Sequence, residues 1–565
     1  MTMDSDPTRI VEALAASGEL EAVSVDGSGH IRGEGTFGDQ LVGFRIELRP
    51  PFPIARPKVF LSEPDQLGPL PHVDVDGELC YSNGEGVLLD WRRPESLVIE
   101  CVRRAKIVLA DGLCGANRSE YFEEYQAHWR QSPSVSVPSL VDPSDAVAEI
   151  EVLEMSDSRI LVRNVGDFES FGAVSAPRST TIRKALFIPL VDPAQMMPVR
   201  SVWAVRDLRD ALWAGISPAE GERLRRLLRH RAGRRLTEYV VIQVPRPSGE
   251  PALVGIRFTN MGTVHPLLPK GTAEGVDRLD LVRWDRHFLM PRGGAASLLA
   301  DKHVCVVGCG AVGARVVDEL VHAGISSLLL VDPDDVASEN TYRHLLGRAY
   351  WGKSKVKALA AWVSQNVPYV KVSPFQGRFD EVLEKVPATD IADLDLIVFA
   401  TGCETADLQA NAVLRGRRSP ALLFTWLEPL GIGGHAVLQL PEMPGCVECL
   451  HTSGDGELQE NRASFVAPNQ RFALDLSGCG SAFTPFSNLH ATQTAVLAAQ
   501  LGLDYLQGSV SASCLRSWRG DSRMLIDAGF APSARYLSDD DGRVLENFAA
   551  PACRVCGTAS GAQDG

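Results

Sequence analysis

The sequence lacks the features that would place it in a membrane or outside the cell. No uninterrupted apolar run approaches the roughly 20 residues that a membrane-spanning helix needs. The first residues, MTMDSDPTRIV, contain no basic segment followed by an apolar core, so they predict no secretory signal. We therefore expect a cytoplasmic protein without a membrane partner.

Positive charge is also in short supply. Lys and Arg number 56 against 71 Asp and Glu, which gives a formal net charge of −15 at pH 7. This balance argues against a nucleic-acid partner, because nucleic acids are bound mainly through clustered cations. An Arg-rich run from Arg223 to Arg235 is the exception, and we interpret it as a solvated or interdomain face.

Cysteine is sparse, and its spacing argues against a disulfide framework. The chain has 12 cysteines, of which four form two C-x-x-C pairs, Cys446 with Cys449 and Cys553 with Cys556. Four thiolates in two such pairs can complete a tetrahedral site that suits Zn²⁺. The alternatives are a redox pair, or a catalytic thiol at Cys446 or Cys449.

The most informative stretch has the pattern strand, glycine turn, helix, strand. The apolar run His303–Val307 meets Gly308, Gly310 and Gly313, and a second apolar run further on ends at Asp332. Such glycines let the backbone approach a phosphate at a helix N-terminus, and the aspartate can hold a ribose hydroxyl. The fingerprint alone fits a nucleotide enzyme, an NAD-dependent oxidoreductase, or a turn of purely structural value.

A polar series beyond the second strand favours a triphosphate over a nicotinamide. Asp334, Asn340, Arg343 and Lys355 follow one another there. A bound triphosphate needs charge-assisted donors around its oxygens, whereas a nicotinamide site has no use for this cluster. The alternative is a solvated charged helix face. The series therefore favours a bound triphosphate, and the family resemblance described next implies that it is ATP with Mg²⁺.

The same residues resemble the ubiquitin-activating-enzyme superfamily. Its motif D-x-D-x-V-x-x-x-N-x-x-R matches Asp332–Arg343, and its entry segment R-Y-x-R-Q is similar to Arg283–His287. The resemblance covers about 276–556 and implies a Rossmann-like domain that adenylates the C-terminal glycine carboxylate of a protein. It also implies a homodimer, in which Arg286 reaches the nucleotide site of the neighbouring subunit. The paired cysteines stand at matching places in relatives, which favours zinc.

Two further residues of this region are candidates for the same chemistry. Cys479 lies between glycines at the start of a small-residue helix, where the helix N-terminus can stabilise a thiolate. We predict that it is the thioester nucleophile, with Cys514 as the alternative, and interpret Cys403 as a packing residue. Relatives usually place a magnesium-holding aspartate near Gly402, and here Glu404 can replace it or simply cap a helix.

An earlier stretch resembles the ubiquitin-conjugating fold. A proline-rich strand precedes His72, Cys80 follows eight residues later, and Trp91-Arg-Arg-Pro94 begins a helical pattern. The resemblance puts Cys80 at the nucleophile's place and His72 where the family has an oxyanion-steadying asparagine. An imidazole can donate that hydrogen bond only in a suitable tautomer or when protonated. The alternative for Cys80 is a small buried apolar residue.

These patterns predict an α/β protein of three domains. They are a ubiquitin-conjugating-like α+β domain (1–135), a mixed α/β middle or linker domain (136–275) and a ThiF-type adenylation domain (276–565). This order resembles bacterial fusion enzymes of anti-phage cyclic-oligonucleotide signalling (CBASS) operons. The resemblance implies adenylation of the tail of a cGAS-like nucleotidyltransferase, capture on Cys479, transfer to Cys80 and ligation to an amine of a target protein.

Three alternatives make different predictions. A sulfur-carrier adenylyltransferase would share the adenylation domain and keep its activity without Cys80. An NAD-dependent oxidoreductase would show no exchange of pyrophosphate into ATP. A non-enzymatic scaffold would bind its partner without depending on a nucleotide or a thiol.

Overall fold

The computed structural model describes residues 7–82, 87–130, 134–156, 158–172, 179–194, 196, 203–229, 231, 237–415, 419–475, 482–538, 544–545 and 548–557. The chain divides into two compact units, the first formed by Met1–Val165 with Pro177–Asp285 and the second by Gly166–Ala176 with Arg286–Gly565. Both units mix helices and strands, so the predicted α/β class is confirmed. Within the described ranges, no helix is long and apolar enough to cross a membrane.

The first unit begins with a four-stranded antiparallel sheet packed against two helices. Its elements are α1 (Pro7–Ser17), β1 (Glu21–Val25), β2 (Ile31–Phe37), β3 (Gln40–Glu47), β4 (Lys58–Leu61) and α2 (Pro94–Cys114). Alternate residues of β2 are buried because successive side chains point to opposite faces of the sheet, and one face packs against the helices. Phe44 and Ile46 of β3 lie in one core with Leu14 of α1 and Val98 of α2.

A closed barrel follows in the same unit. Its strands are β5 (Ser134–Ser139), β6 (Ala148–Glu154), β7 (Arg159–Val162), β8 (Thr181–Pro189), β9 (Thr237–Val244), β10 (Ala252–Met261) and β11 (Ala273–Arg283), in the order β10-β11-β5-β7-β6-β8-β9. The helices around it are α3 (Glu120–Glu123), α4 (Tyr125–Arg130), α6 (Val205–Gly215) and α7 (Pro218–Arg229). Helix α5 (Val165–Gly172) belongs to the second unit from Gly166 onwards. Phe187 and Val241 belong to the cluster inside the barrel, whereas Leu186 and Val240 pack outside with the helices.

The barrel changes how the middle of the chain is divided. The segment 132–139 is rich in serine and proline, as a linker would be, yet its described residues form β5, which pairs in parallel with β11. The predicted boundary at 275 falls inside β11, which also pairs with β10. We propose a middle domain that begins with β5 and ends at Arg283.

The second unit is built on an eight-stranded sheet of order β14-β13-β12-β15-β16-β17-β20-β21. Its elements are α8 (Arg286–Arg292), β12 (His303–Val307), α9 (Gly313–Ala323), β13 (Ser327–Val331), α10 (Lys355–Asn366), β14 (Lys371–Phe375), α11 (Phe379–Lys385), α12 (Ala388–Ala392), β15 (Leu396–Phe399), α13 (Glu404–Arg415), β16 (Ala421–Leu427), β17 (Gly433–Gln439), β18 (Leu474–Asp475), β19 (Ala482–Phe483), α14 (Asn488–Leu506), β20 (Cys514–Arg519), α15 (Arg523–Asp527), α16 (Ala534–Leu537) and β21 (Val544–Leu545).

The parallel half of this sheet positions the nucleotide motif. Strands β14, β13, β12, β15 and β16 are mutually parallel. The four inner strands are largely apolar and buried, because helices cover both faces of such sheets, whereas the edge strand β14 has the mixed sequence KVSPF. The carboxyl ends of parallel strands share one edge. The glycine turn after β12, the aspartate after β13 and the polar turn after β15 therefore meet there.

Candidate functional site

The glycine turn after β12 is shaped partly by packing and partly by open space. Gly308 has φ +86°, and a Cβ added there would lie 2.5 Å from the carbonyl oxygen of Ala400. A Cβ at Gly313 would lie 1.8 Å from the carbonyl oxygen of Gly308, yet one at Gly310 would meet no atom within 4 Å. The fold itself thus demands the first and third glycines, while the space at Gly310 is available to a bound group.

This difference predicts two distinct phenotypes. Gly313→Ala should lower the free energy of unfolding by about 3 kcal/mol, because its Cβ clashes with backbone. Gly310→Ala should leave unfolding unchanged and weaken ATP binding, since only a bound phosphate would meet the new methyl group. Thermal melts and titration with a fluorescent ATP analogue measure both effects. A folded Gly310→Ala protein that binds the analogue like the wild type would contradict this assignment.

Asp332 ties the glycine turn to the end of β13. It is 5% exposed, and its carboxylate accepts the N–H groups of Cys309 at 2.7 Å and of Asp334 at 2.9 Å. Burial raises the pKa of Asp332, although the nearby Lys355 ammonium opposes this effect. The predicted hydrogen bond to a ribose hydroxyl would be made by the same Asp332 carboxylate oxygens that already accept these two backbone N–H groups.

The cations and amide of the motif lie around this turn. Lys355 donates from Nζ to the Asp334 carboxylate at 2.7 Å, and the same nitrogen is 3.8 Å from Asp332. Asn340 accepts the Ala337 N–H through Oδ1 at 3.1 Å, which fixes the loop before the motif arginine. The guanidinium of that residue, Arg343, lies 5.2 Å from the ring centroid of Phe486.

His344 is a supporting residue that the sequence reasoning missed. Its Nδ1 accepts the Leu346 N–H at 3.0 Å, so Nε2 carries the proton and donates to the Cys309 carbonyl at 2.8 Å. Burial lowers the pKa of His344, which keeps the ring neutral. The signal that was available is its place directly after the motif arginine.

A cavity of about 430 Å³ opens beside the turn. Gly308, Asp332 and Thr401 line one part, and Phe379 and Leu383 supply an apolar wall. A polar end with exposed backbone and an apolar wall fit a nucleotide, whose phosphates and base have those opposite preferences.

Two acids begin the helix after β15. Glu404, for which the sequence left open a magnesium ligand or a helix cap, is exposed at the start of α13. One turn later Asp407 is 7% exposed and accepts a hydrogen bond from Thr401 Oγ1 at 2.7 Å. Burial raises the pKa of Asp407 to about 7. Asp407 is thus a second candidate acid, and the sequence reasoning did not single it out.

The thiols of the second unit differ in their exposure to solvent. The predicted nucleophile Cys479 lies outside the described residues. The alternative, Cys514, is buried in β20. The interpretation of Cys403 as a packing residue is wrong, because the turn after β15 leaves it exposed and lining the nucleotide-sized cavity.

Arg286 begins α8, where it is held by its own unit. Its Nε lies 3.1 Å from Met290 Sδ, and a terminal nitrogen donates to the Ala300 carbonyl at 3.5 Å. Its contribution to the nucleotide site of a second subunit stays a prediction.

The four paired cysteines converge although 107 residues separate their partners in sequence. Cys446 Sγ lies 3.9 Å from Cys449 and 3.6 Å from Cys553, and Cys449 Sγ lies 3.2 Å from Cys556. A tetrahedral Zn–S₄ site has sulfur–sulfur spacings of about 3.8 Å, so these residues fit zinc. The Asn411 amide lies 3.5 Å from Cys446 Sγ, as an outer-shell donor would.

We expect purified protein to contain about one zinc per chain. Cys553→Ser should lose the metal and lower the melting temperature, because zinc joins two segments distant in sequence. The matched control is Cys101→Ser, which changes a cysteine that is also buried but lies in α2. Mass spectrometry of the metal content and thermal melts measure both effects. If the wild-type protein contains no metal and Cys553→Ser melts at the same temperature, the paired cysteines do not form a zinc site.

In the first unit, a tight hairpin explains why His72 and Cys80 meet. The Cys80 N–H donates to the His72 carbonyl at 2.8 Å, and Val73 bridges Leu79 one step further in. Asp74 closes the turn by accepting the Glu78 N–H through Oδ1 at 2.7 Å. Eight residues of spacing thus place the imidazole opposite the thiol.

The thiol of Cys80 is exposed, so the alternative of a buried packing residue is wrong for it. A cleft of about 950 Å³ surrounds it, lined by His72 and Glu124 and by apolar Leu88 and Trp91. Cys80 Sγ, a ring nitrogen of His72 and a carboxylate oxygen of Glu124 lie within 4.8 Å of one another. An exposed thiol beside an imidazole is suited to acyl transfer.

Comparison with known proteins finds one family match in each part of the chain. Residues 288–518 match the ThiF family, and residues 31–137 match Prokaryotic E2 family B. The chain is 26% identical over 497 residues to the ATP-dependent ubiquitin transferase-like protein Cap2 of Pseudomonas aeruginosa (strain BWHPSA011 / Pa011), and the match covers 82% of this chain and 85% of Cap2.

Two further likenesses are partial. The uncharacterized protein y4oA of Sinorhizobium fredii (strain NBRC 101917 / NGR234) is 29% identical over 181 residues, which cover 29% of this chain and 30% of y4oA. Among solved structures, E. coli MccB with succinimide aligns with a TM-score of 0.33 and 18% identity over 46% of this chain and 67% of MccB, which is too loose to bear on activity. The two family matches and the long alignment with Cap2 identify this chain as a fusion of a prokaryotic E2 family B domain with a ThiF family domain.

Proposed function

We propose that this chain is an ATP-dependent ubiquitin-transferase-like enzyme. It adenylates the C-terminal carboxylate of a protein, captures the acyl group as a thioester and ligates it to an amine of a target. The observation that carries the proposal is the exposed Cys80 beside His72 in a chain that also holds a ThiF-type nucleotide cavity. An adenylyltransferase alone would have no use for the first site.

The adenylation step belongs to the cavity beside Gly308. A carboxylate oxygen of the donor tail attacks the α-phosphorus of ATP, the bond to the β-phosphate oxygen breaks, and pyrophosphate leaves. Lys355 and Arg343 stabilise the added negative charge, assisted by Arg286 from a second subunit. Mg²⁺, held by Glu404 or Asp407, would neutralise phosphate charge when bound. Zinc on the four paired cysteines would serve folding rather than chemistry.

The acyl group then moves through thiols. Thiolate attack by Cys479 releases AMP, and exchange with the Cys80 thiolate passes the acyl group on without loss of activation. An amine of the target attacks the thioester carbonyl, the carbon–nitrogen bond forms, and the carbon–sulfur bond breaks. The nitrogen loses its proton to solvent, and the Cys80 thiolate is regenerated.

The donor class follows from the order of the two domains. The resemblance to CBASS fusion enzymes favours a cGAS-like nucleotidyltransferase with a glycine-like C-terminus as the donor, and a lysine of a target protein as the acceptor. We place this reaction in the cytoplasm, in antiviral defence, and in a homodimer.

The test is incubation of the full chain with ATP, Mg²⁺ and a cGAS-like nucleotidyltransferase, followed by non-reducing gels. Reductant-sensitive adducts should form in the wild type, disappear from Cys80 in Cys80→Ala and fail to form at all in Cys479→Ala. Cys114→Ala is the matched control, since Cys114 is exposed on α2 yet does not line the Cys80 cleft. Cys403→Ala tests the exposed thiol of the nucleotide cavity. Products that survive reduction are expected only where the donor is ligated to an amine. The absence of any reductant-sensitive adduct with any tail-bearing protein would reject the thioester relay.

A further inference from the structure

Two carboxylates enclose the imidazole of His72. Its Nδ1 lies 2.7 Å from Glu124 Oε1, and its Nε2 lies 2.5 Å from Glu120 Oε2. Glu124 also accepts the backbone N–H of His72 through Oε2 at 3.1 Å, so one side chain holds the residue at two points. His72 has φ +60°, a backbone conformation that few residues other than glycine adopt. The contacts with Glu120 and Glu124 hold the residue in this conformation.

This arrangement determines the charge of the ring. A neutral imidazole has one N–H, so one of the two carboxylates would face a lone pair. With both nitrogens protonated, each contact becomes a charge-assisted hydrogen bond. Consistently, the side chains of Cys80, Glu124 and Glu120 raise the pKa of His72 to about 11 against the effect of burial. Other titratable or charged side chains near the pair are His128, whose Nε2 is 3.6 Å from Glu124, and those that line the same cleft: Arg56, Lys58, Asp74 and Glu78.

The barrel supports the segment that carries these carboxylates. Directly after Glu124, the Tyr125 hydroxyl donates to the Met196 carbonyl at 2.6 Å. Trp129 donates from Nε1 to the Leu279 carbonyl of β11 at 3.1 Å, and both aromatic side chains are buried. The middle domain therefore fixes one wall of the Cys80 cleft.

We propose that Glu120 and Glu124 are positioning residues for ligation, which hold His72 as a cationic N–H donor aimed at the thioester carbonyl on Cys80. The proposal rests on the proposed function of Cys80. When an amine attacks the thioester, the carbonyl oxygen becomes an oxyanion, which His72 stabilises by a hydrogen bond. Collapse of this intermediate breaks the carbon–sulfur bond. His72 has no free lone pair and is therefore not the base.

The two carboxylates have different parts in this scheme. The Glu124 side chain is 27% exposed and keeps its two bonds to His72. The Glu120 side chain is 51% exposed, so water can replace it and free Nε2–H for the oxyanion. Replacement of Glu124 should therefore slow ligation more than replacement of Glu120.

The charge state is measurable without a donor protein. In full-length protein with nitrogen-15 histidine, the His72 signals are assigned by their absence from His72→Asn. Both ring nitrogens should stay protonated between about pH 6 and about pH 9, and Glu124→Gln should move the titration into that range. Glu120→Gln should shift it less. Wild-type His72 that titrates near its ordinary pKa of about 6.5 would overturn the proposal, whatever the enzyme ligates.

The second readout is discharge of the Cys80 thioester, formed with the cGAS-like nucleotidyltransferase, to free lysine. Glu124→Gln should slow discharge by about tenfold or more. His72→Asn should fold, because asparagine tolerates positive φ and its amide is neutral. In that background Glu124→Gln should have no further effect, since the carboxylate acts through the imidazole. Equal effects in both backgrounds would reduce Glu124 to a structural residue. Absence of any thioester would instead reject the proposed function and leave the titration result standing.

Discussion

Replacing Cys80 by alanine should abolish ligation of the donor to its target and leave exchange of pyrophosphate into ATP unchanged. In the proposed reaction the Cys80 thiolate holds the acyl chain, and removal of a covalent nucleophile costs on the order of a thousandfold or more in rate. We assign adenylation to the glycine turn and Lys355, which belong to the other compact unit. Gel assays of ligation and exchange of labelled pyrophosphate separate the two activities.

A matched serine variant sharpens this prediction. Cys80→Ser should accumulate an oxyester that resists reductant, because an alkoxide is a poorer leaving group than a thiolate. Cys114→Ala, on the exposed side of α2, should ligate normally. Ligation that survives Cys80→Ala would favour the sulfur-carrier type of adenylyltransferase and make the first domain a docking module.

Replacing Lys355 by alanine should lower pyrophosphate exchange by about a hundredfold or more. Its ammonium lies 2.7 Å from Asp334 and 3.8 Å from Asp332, so it is the cation that offsets these acids where phosphates would lie. Without it, two carboxylates would face the incoming charge. Circular dichroism would verify that the variant folds.

Lys353→Ala is the control for that experiment, because it removes the same charge two residues away. The Lys353 ammonium lies 5.3 Å from the Tyr350 ring centroid, whereas the Lys355 ammonium lies against the acids that follow β13. Exchange should stay near the wild-type rate. Equal losses in both variants would show that general surface charge, and not a phosphate contact of Lys355, supports the reaction.

Much of this architecture could be read from local sequence. The glycine turn and the motif around Asp332 occupy one strand-turn-helix-strand unit, so spacing alone predicts their meeting, and the predicted fusion of two enzyme types is confirmed by the family matches. His72 and Cys80 are joined by a short hairpin, which is also a local feature. The paired cysteines could be predicted as a metal site because each C-x-x-C pair is a recognisable half of a four-thiolate site.

The rest depends on contacts that sequence spacing does not encode. Glu124 reaches His72 across 52 residues, and nothing in its neighbourhood marks it as a partner of the cleft. The barrel closes through parallel pairing of β5 with β11, whose residues lie far apart in sequence. A Ser- and Pro-rich segment therefore looked like a linker. Asp407 becomes a candidate only because it is buried in the first turn of its helix, and an aspartate in a sequence is normally expected to be exposed.

The central claim is that the second unit uses ATP to activate a protein tail. The most direct measurement is exchange of labelled pyrophosphate into ATP by purified full-length protein, with and without a cGAS-like nucleotidyltransferase and with a version lacking its last residues. We predict exchange only when the intact tail is present. Exchange independent of the tail, or none with any tail-bearing protein, would contradict the account.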